Sequence, residues 1–252
     1  MSPDTTMGAA PSTAAGEHHR PVAVAEALEV TVTAPIVSFR DPLFSGVQVT
    51  LPCPSPATVG GMLAAAAGGW GEVDEELSFA VAFRARGDGV DLETYHPLEA
   101  ARGSAAPAPR NREFLADVTL RVWLWEEPEL WRARLRRPRW PLRLGRSQDL
   151  VGIRTETVTL YDEPGLLGSA LAMASSELDP GAGRELRLPC AVALDRGATR
   201  WGSFRFDERG HSRHVVPGSW STTDGQAVVP LPSPHPATAP RPERASAREA
   251  GT

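Results

Sequence analysis

The stretch FLADVTLRVWLWEEPELWRARLRRPRWPLRLGRSQDLVGIRTETVTLY, residues 114–161, decides how the chain is to be read. Its first part alternates. Val118, Leu120, Val122 and Leu124 fall on one side, and Arg121, Trp123 and Trp125 on the other, the period-two pattern of a strand. Pro128 then opens a short helix, PELWRARLRR, and Pro138 stops it, because proline lacks the amide donor and clashes with the preceding turn. DLVGIRTETVTLY, residues 149–161, is strand-like again.

Working outward, LSFAVAFRAR (77–86) predicts a strand with Leu77, Phe79, Val81, Phe83 and Ala85 on one face. LEVTVTA (28–34) predicts another, and Pro35 after it implies an edge position or a bulge, since it cannot donate to a ladder. Between them Ser55 stands at a helix N-cap, Pro56 at the first helical position, and Gly68-Gly69 at the end. Gly60 and Gly61 inside that helix cost roughly 1 kcal/mol each relative to alanine, so close packing against a neighbour is expected there. The order is strand, helix, strand, strand, helix, strand. We read it as an α+β chain with a ferredoxin-like βαββαβ core over 27–161, an arrangement used by many RNA-binding modules.

Gly87-Asp88-Gly89 reads as a turn and 90–112 as an irregular excursion. Residues 162–219 read as β-hairpins appended to the core. The ends, 1–26 and 220–252, are rich in Ala, Pro, Ser and Thr and are expected to be disordered tails.

The chain carries 26 Lys+Arg against 31 Asp+Glu, all 26 cations being arginine, for a net charge of −5. Against that acidic total, residues 131–150 gather Arg132, Arg134, Arg136, Arg137, Arg139, Arg143 and Arg146 before the first acid, Asp149. The helical arginines fit a solvated face or nucleic-acid steering equally well. The loop after Pro138 is more specific. Gly145 permits an unusual backbone angle, so the N–H groups of Gly145, Arg146 and Ser147 are expected to face an anion, with the Arg143, Arg146 and Ser147 side chains as further donors. That is a phosphate-backbone clamp, which fixes register without reading bases. Trp140, between Pro138 and Pro141, is the candidate for base stacking, whereas Trp123 and Trp125 are expected to pack against the appended hairpins.

Cys53 and Cys190 are too few for a thiolate zinc site and are expected as buried thiols. No metal or cofactor is expected. The apolar run near Met62–Ala67 is far too short to span a bilayer, and residues 1–26 lack the pattern of a secretory signal. A cytoplasmic protein without membrane contact is therefore expected.

Two of these segments carry a resemblance. SFRDPLFSGVQVTLPCPSPATVGGMLAAAAG (38–68) and PRWPLRLGRSQDLV (138–151) resemble, in order, two signatures of the fifth CRISPR-associated (Cas) protein family, most closely its type I-B branch. The resemblance covers about residues 28–160. It places the first motif on Ser45, Gly46, Val47, Gln48, Thr58, Gly60 and Met62, and the second on Leu144, Gly145, Arg146, Ser147 and Asp149. Gln148 stands where an acid is common. The resemblance implies a repeat-associated RNA-binding (RAMP) subunit of the Cascade surveillance complex. Such a subunit grips the 5′ handle of the crRNA, seats the large subunit and the first backbone subunit, and inserts a thumb-like hairpin where this chain has its excursion at 87–113. Target DNA is a further partner that it leaves open. The residues assigned to RNA on this combined reading are Ser45, Gly46, Gln48, Arg139, Trp140, Arg143, Gly145, Arg146 and Ser147.

One branch of that family cuts the crRNA precursor with a Tyr, a Lys and a His. This chain has no lysine, so the triad cannot be complete. Tyr95 and Tyr161 are its tyrosines, and His96, His211 and His214 are candidate general bases for a metal-independent endoribonuclease, the alternative reading. His211 and His214, three apart on a strand, point to opposite faces and do not make a shared metal pair. No catalytic residue is expected.

Overall fold

The alternation at 28–34 belongs to a longer strand, β1 (Ala23–Val37), in a computed structural model that describes residues 22–41, 44, 48–95, 108–175 and 177–240. The chain continues through α1 (Pro56–Ala67), β2 (Ala80–Tyr95), β3 (Ala108–Leu124), α2 (Pro128–Arg136) and β4 (Gly152–Tyr161). β5 (Leu166–Gly168), β6 (Ala172–Met173), β7 (Arg184–Val192), β8 (Thr199–Phe206), β9 (Ser212–Val215), β10 (Trp220–Ser221) and β11 (Ala227–Val228) follow. The architecture is mixed α/β, mostly strands, with two α-helices among the described residues. The largest sheet has the order β11-β10-β4-β1-β3-β2 with antiparallel pairing throughout.

Register follows the hydrophobic pattern. Leu28, Val30 and Val32 lie opposite Leu124, Val122 and Leu120, and Val81 and Phe83 lie opposite Val122 and Leu120. All of these are buried, in one core with Val59, Met62 and Leu63 of α1 and Trp131 and Leu135 of α2. Slipping a strand by one residue would turn this whole set to the other face, so burial pins the pairing. Pro35 lies beyond the last β1–β4 pair, Thr33↔Gly152, so no ladder partner on that side needs its missing amide. Ser55 accepts the Thr58 amide at 3.2 Å, and Gly68 closes α1 with φ 115°. The two glycines within α1 differ. A Cβ on Gly60 would lie 2.3 Å from the Pro234 ring, whereas one on Gly61 would meet nothing within 4 Å.

Three expectations need correction. The N-terminal tail does not extend to residue 26, because Ala23–Glu26 are part of β1 and pair with the end of β4, where Ala27 and Leu160 are fully buried. Small alanines carry little hydrophobic signal, so the alternation there is faint. Gly87-Asp88-Gly89 does not turn. β2 and β3 stay in one register from Ala80↔Trp123 to Tyr95↔Ala108, and Gly89 lies under the Phe114 ring, where a Cβ would come within 2.6 Å of the ring carbon Cζ. The excursion at 87–113 is thus a long two-stranded arm, with residues 96–107 outside the described residues.

The third correction is that residues 220–240 are not a tail. Val228 and Leu231 are buried, Leu231 donates its amide to Phe79 O, and Pro234 lies in the notch at Gly60. His235 Nδ1 accepts the Ala237 amide while its Nε2 lies 3.0 Å from Trp70 O. Arg200 donates to Ser233 O and to Thr238 Oγ1, tying this strap to β8. Proline-rich composition suggested disorder, but prolines have little backbone freedom left to lose and these bury apolar rings.

The face of the sheet away from the helices is closed by the same segment. Trp123 is fully buried and donates to Glu29 Oε2 at 2.9 Å, and Arg121 forks onto Glu29 at 2.8–2.9 Å and reaches Asp224 at 3.0 Å. Trp125 meets Trp220 edge-on at 5.1 Å. These tryptophans pack on residues 220–228 rather than on the β7–β8 hairpin. Cys53 and Cys190 are buried, and desolvation pushes both thiols up. Among the described residues no helix is long and apolar enough to cross a membrane, and no cluster of His, Cys, Asp and Glu is placed to hold a metal.

Candidate functional site

The left-handed turn expected at Gly145 is present, with φ 97°, but its anion is the chain's own. Asp149 turns back into the loop and is 5% exposed. Its Oδ2 accepts the Arg146 amide at 3.2 Å and the Ser38 amide, from a stretch 111 residues away, also at 3.2 Å. Arg146 closes on the same carboxylate through Nε at 2.8 Å and Nη2 at 2.8 Å. The anticipated phosphate clamp is therefore corrected. A buried carboxylate occupies the Arg146 donors that the loop had been expected to offer, its amide and its guanidinium, and a spacing of three residues, Arg146 to Asp149, makes that closure cheap. Gly145 has no room for a side chain, since a Cβ would lie 2.6 Å from Ser38 O.

Around this pin lies a cleft of about 480 Å³. Ser38, Phe39 and Arg40 form one wall with Leu51, and the first turn of α1 contributes Ser55, Ala57 and Thr58. Gly145 and Arg146 form the floor, and Pro189, Val192, Thr199 and Trp201 of the β7–β8 hairpin close the far side. Arg146 Nη1 is buried with no hydrogen-bond partner among the described residues, so one donor of this guanidinium remains uncommitted. The mixture is apolar and aromatic with a few convergent donors, the make-up of a binding cleft.

The root of the β2–β3 arm is wired to the same place. Ser38 Oγ donates to Glu113 O at 2.8 Å, the Glu113 amide donates to Gln48 O at 3.1 Å, and the Thr50 amide donates to Glu113 Oε2 at 3.1 Å. Arg112, 7% exposed, forks onto Asp91 opposite it and reaches Glu93 at 2.8 Å. The Arg112 hydrogen bonds hold the Asp91 carboxyl below its usual range against the opposing effect of burial, and the positive field of Arg146 adds to them.

The residues read from the sequence separate into groups. Gly145 and Arg146 line the cleft, and Gln48 stands at the root of the arm, bridged to Arg112. Ser147 is exposed, its hydroxyl 3.3 Å from Gln148 Oε1. Arg143 is exposed opposite Leu150. Ser45 and Gly46 lie outside the described residues. Arg139 and Trp140 are elsewhere, at the other end of α1, where their amides donate to Ala66 O and Ala65 O at 3.1 and 3.2 Å. Sequence reasoning missed Pro189, Val192 and Trp201, because only the folding of the hairpin onto α1 brings them to the cleft. It also missed Arg112, whose burial depends on the arm being a strand pair. The histidines proposed as bases are not at this site. His214 Nδ1 lies 3.3 Å from Asp179, His211 lies just before β9, and His96 is outside the described residues.

Comparison with protein-family models matches residues 27–193 to the family described as CRISPR-associated protein (Cas_Cas5). Among solved structures, the chain is similar to a CRISPR protein from Archaeoglobus fulgidus at 16% identity and a TM-score of 0.49, over 82% of this chain and 99% of that one. It is also similar to a chain of a CRISPR RNA-guided surveillance complex, at 21% identity and a TM-score of 0.46, over 82% and 91% of the two chains. A third likeness is to a Cas protein, at 20% identity and a TM-score of 0.34, over 83% and 99%. No curated protein matches the chain.

Proposed function

The chain belongs to the CRISPR-associated Cas5 family, and from that premise we propose that it is a non-catalytic Cascade subunit that binds the 5′ handle of the crRNA at the cleft beside Gly145 and Arg146. One observation carries this reading. The two stretches that bear the family signatures, 38–68 and 138–151, meet at one cleft through the bond between Ser38 and Asp149, which lie 111 residues apart. The strand order β4-β1-β3-β2, antiparallel and covered by α1 and α2, supports a ferredoxin-like RAMP core.

In this reading single-stranded RNA enters between Phe39, Trp201 and the first turn of α1. Half-buried Trp201 offers a ring to an unpaired base, and the positive charge of Arg146 and the helix N-terminus favour a phosphate. Gln48 and the β2–β3 arm border the strand, and the large and backbone subunits seat on the surfaces that remain. Catalysis has no support at the cleft, whose lining contains no His or Tyr, and the chain has no lysine.

Incubating the purified chain with repeat RNA in the presence of chelator separates the two functions. Tight binding without scission is the expected result, and site-specific cleavage would establish the endoribonuclease instead. Sequencing the RNA that co-purifies from the native host should return repeat-derived 5′ ends.

A further inference from the structure

The two edges of the large sheet are finished differently. On the β2 side the chain seals its own edge. The Leu231 amide donates to Phe79 O at 2.9 Å, the Leu171 amide to Val81 O at 3.0 Å, and the Phe83 amide to Ser169 O at 2.8 Å. On the other side β4 pairs with β1 along its inner edge, while its outer edge meets β10 at the single pair Ser221↔Tyr161. From Gly152 to Leu160 the outer row of β4 amides and carbonyls has no backbone partner among the described residues.

Sheets blunt a bare edge with proline, lysine, a bulge or a very short strand. GIRTETVTL (152–160) has no proline and no lysine, and five of its nine residues are β-branched, which suits it to pairing. Its register with β1 runs without a shift from Leu160 to Gly152. What the edge carries instead is one charge of each sign. Arg154 and Glu156 are both exposed, on the face away from the helices, and meet at 3.4 Å, a pairing that costs little to exchange. Glu156 already stands opposite the buried carboxylate of Glu29 on β1, so a cation is favoured on its outer side.

Two copies laid antiparallel about Thr155 meet these demands together. Arg154 of each falls opposite Glu156 of the other, giving two cross-strand ion pairs on one face. On the other face Thr155 meets Thr155 and Ile153 meets Thr157, pairs of the kind that stabilise ladders. Sliding each strand by one residue sets Arg154 against Arg154, or Glu156 against Glu156, so like charges reject the neighbouring registers. The paired stretch, Gly152 to Val158, stops short of Tyr161, where β10 occupies the edge.

We propose that a second copy of this chain adds to the open edge of β4 in this register, forming a two-fold dimer whose sheet is continuous across the axis. A strand pair is a small interface, below the roughly 1,200 Å² of stable complexes, so the dimer is weak and exchanges with monomer. This contact is independent of what fills the cleft.

Sedimentation of the full chain at concentrations up to about 1 mM should show a reversible monomer–dimer equilibrium. Arg154→Glu and Glu156→Arg each set two like-charged pairs across the axis, and each should weaken the dimer by about tenfold or more. Mixed one to one, the two variants should recover it, because every carboxylate of one then faces a guanidinium of the other. Both side chains are exposed, so thermal melts of the variants should match that of the unaltered chain. Thr155→Cys, on the axis, should form an intermolecular disulfide under mild oxidation, and Thr159→Cys, four residues from it, should not. The native Cys53 and Cys190 are buried and do not compete.

A chain that stays monomeric throughout would overturn the proposal. So would a dimer that both charge variants leave intact, a mixture of the two that stays monomeric, or Thr159→Cys cross-linking as readily as Thr155→Cys.

Discussion

The two ends of helix α1 use the same residue type in opposite ways. At the N-terminal end Arg146 is folded inward, fixed by the buried carboxylate of Asp149, and contributes to a shaped cleft. At the C-terminal end Arg136, Arg137 and Arg139 stand outward with no counter-charge among the described residues. An enclosed and oriented guanidinium has given up its freedom before a ligand arrives and can discriminate by geometry. An open one keeps its charge available and can only attract. One arginine-rich segment therefore holds both an enclosed guanidinium and open ones.

The largest way to break this contrast is to remove the pin. Asp149→Ala leaves Arg146 buried without its partner and the Ser38 amide unsatisfied, and should cost about 3–5 kcal/mol in urea denaturation. Asp149→Asn, which keeps an acceptor for Ser38, should cost less.

Smaller effects should come from the paired glycines. Gly60→Ala forces a Cβ against the Pro234 ring and should destabilise by roughly 1–3 kcal/mol, displacing the strap that supports the hairpin wall of the cleft. Gly61→Ala meets open space and should stabilise by up to about 1 kcal/mol. Thermal melts of the two variants should therefore shift in opposite directions.

The cleft end should also be the acid-sensitive one. The Asp91 carboxyl is lowered in the folded state by Arg112, so its contribution is present above the ordinary carboxyl range near pH 4 and is lost as pH falls through the lowered value. Urea midpoints measured from about pH 5 downward should fall less steeply in Asp91→Asn. The smallest stability effect belongs to exposed Arg136, where Arg136→Gln should change stability by no more than about 0.5 kcal/mol, because its side chain makes no ion pair among the described residues.

Much of the frame was legible from local pattern. The buried faces of β1, β2 and β3, the Ser55 cap, the helix stop at Gly68 and the break at Pro138 each follow from a few neighbouring residues, and each is observed. The turn assigned to Gly87–Gly89 failed because glycine signals two things, a bend or an approach, and here the Phe114 ring decided for approach. The disorder assigned to 220–240 failed because composition cannot register that Pro234 has a notch waiting at Gly60. The phosphate clamp failed in part because the acid that fills the loop was in plain view at Asp149, but nothing local says which way its side chain turns.

By itself the sequence determined where the two helices start and stop, which strand faces are apolar, and that positive charge gathers between 132 and 146, since all of these depend on neighbours along the chain. Only the tertiary structure decided which arginines are spent on internal carboxylates and which remain free. Pairing depends on partners brought from distant segments, as Ser38 is to Asp149 and the β7–β8 hairpin to the first turn of α1, and charge acts through space rather than along the chain.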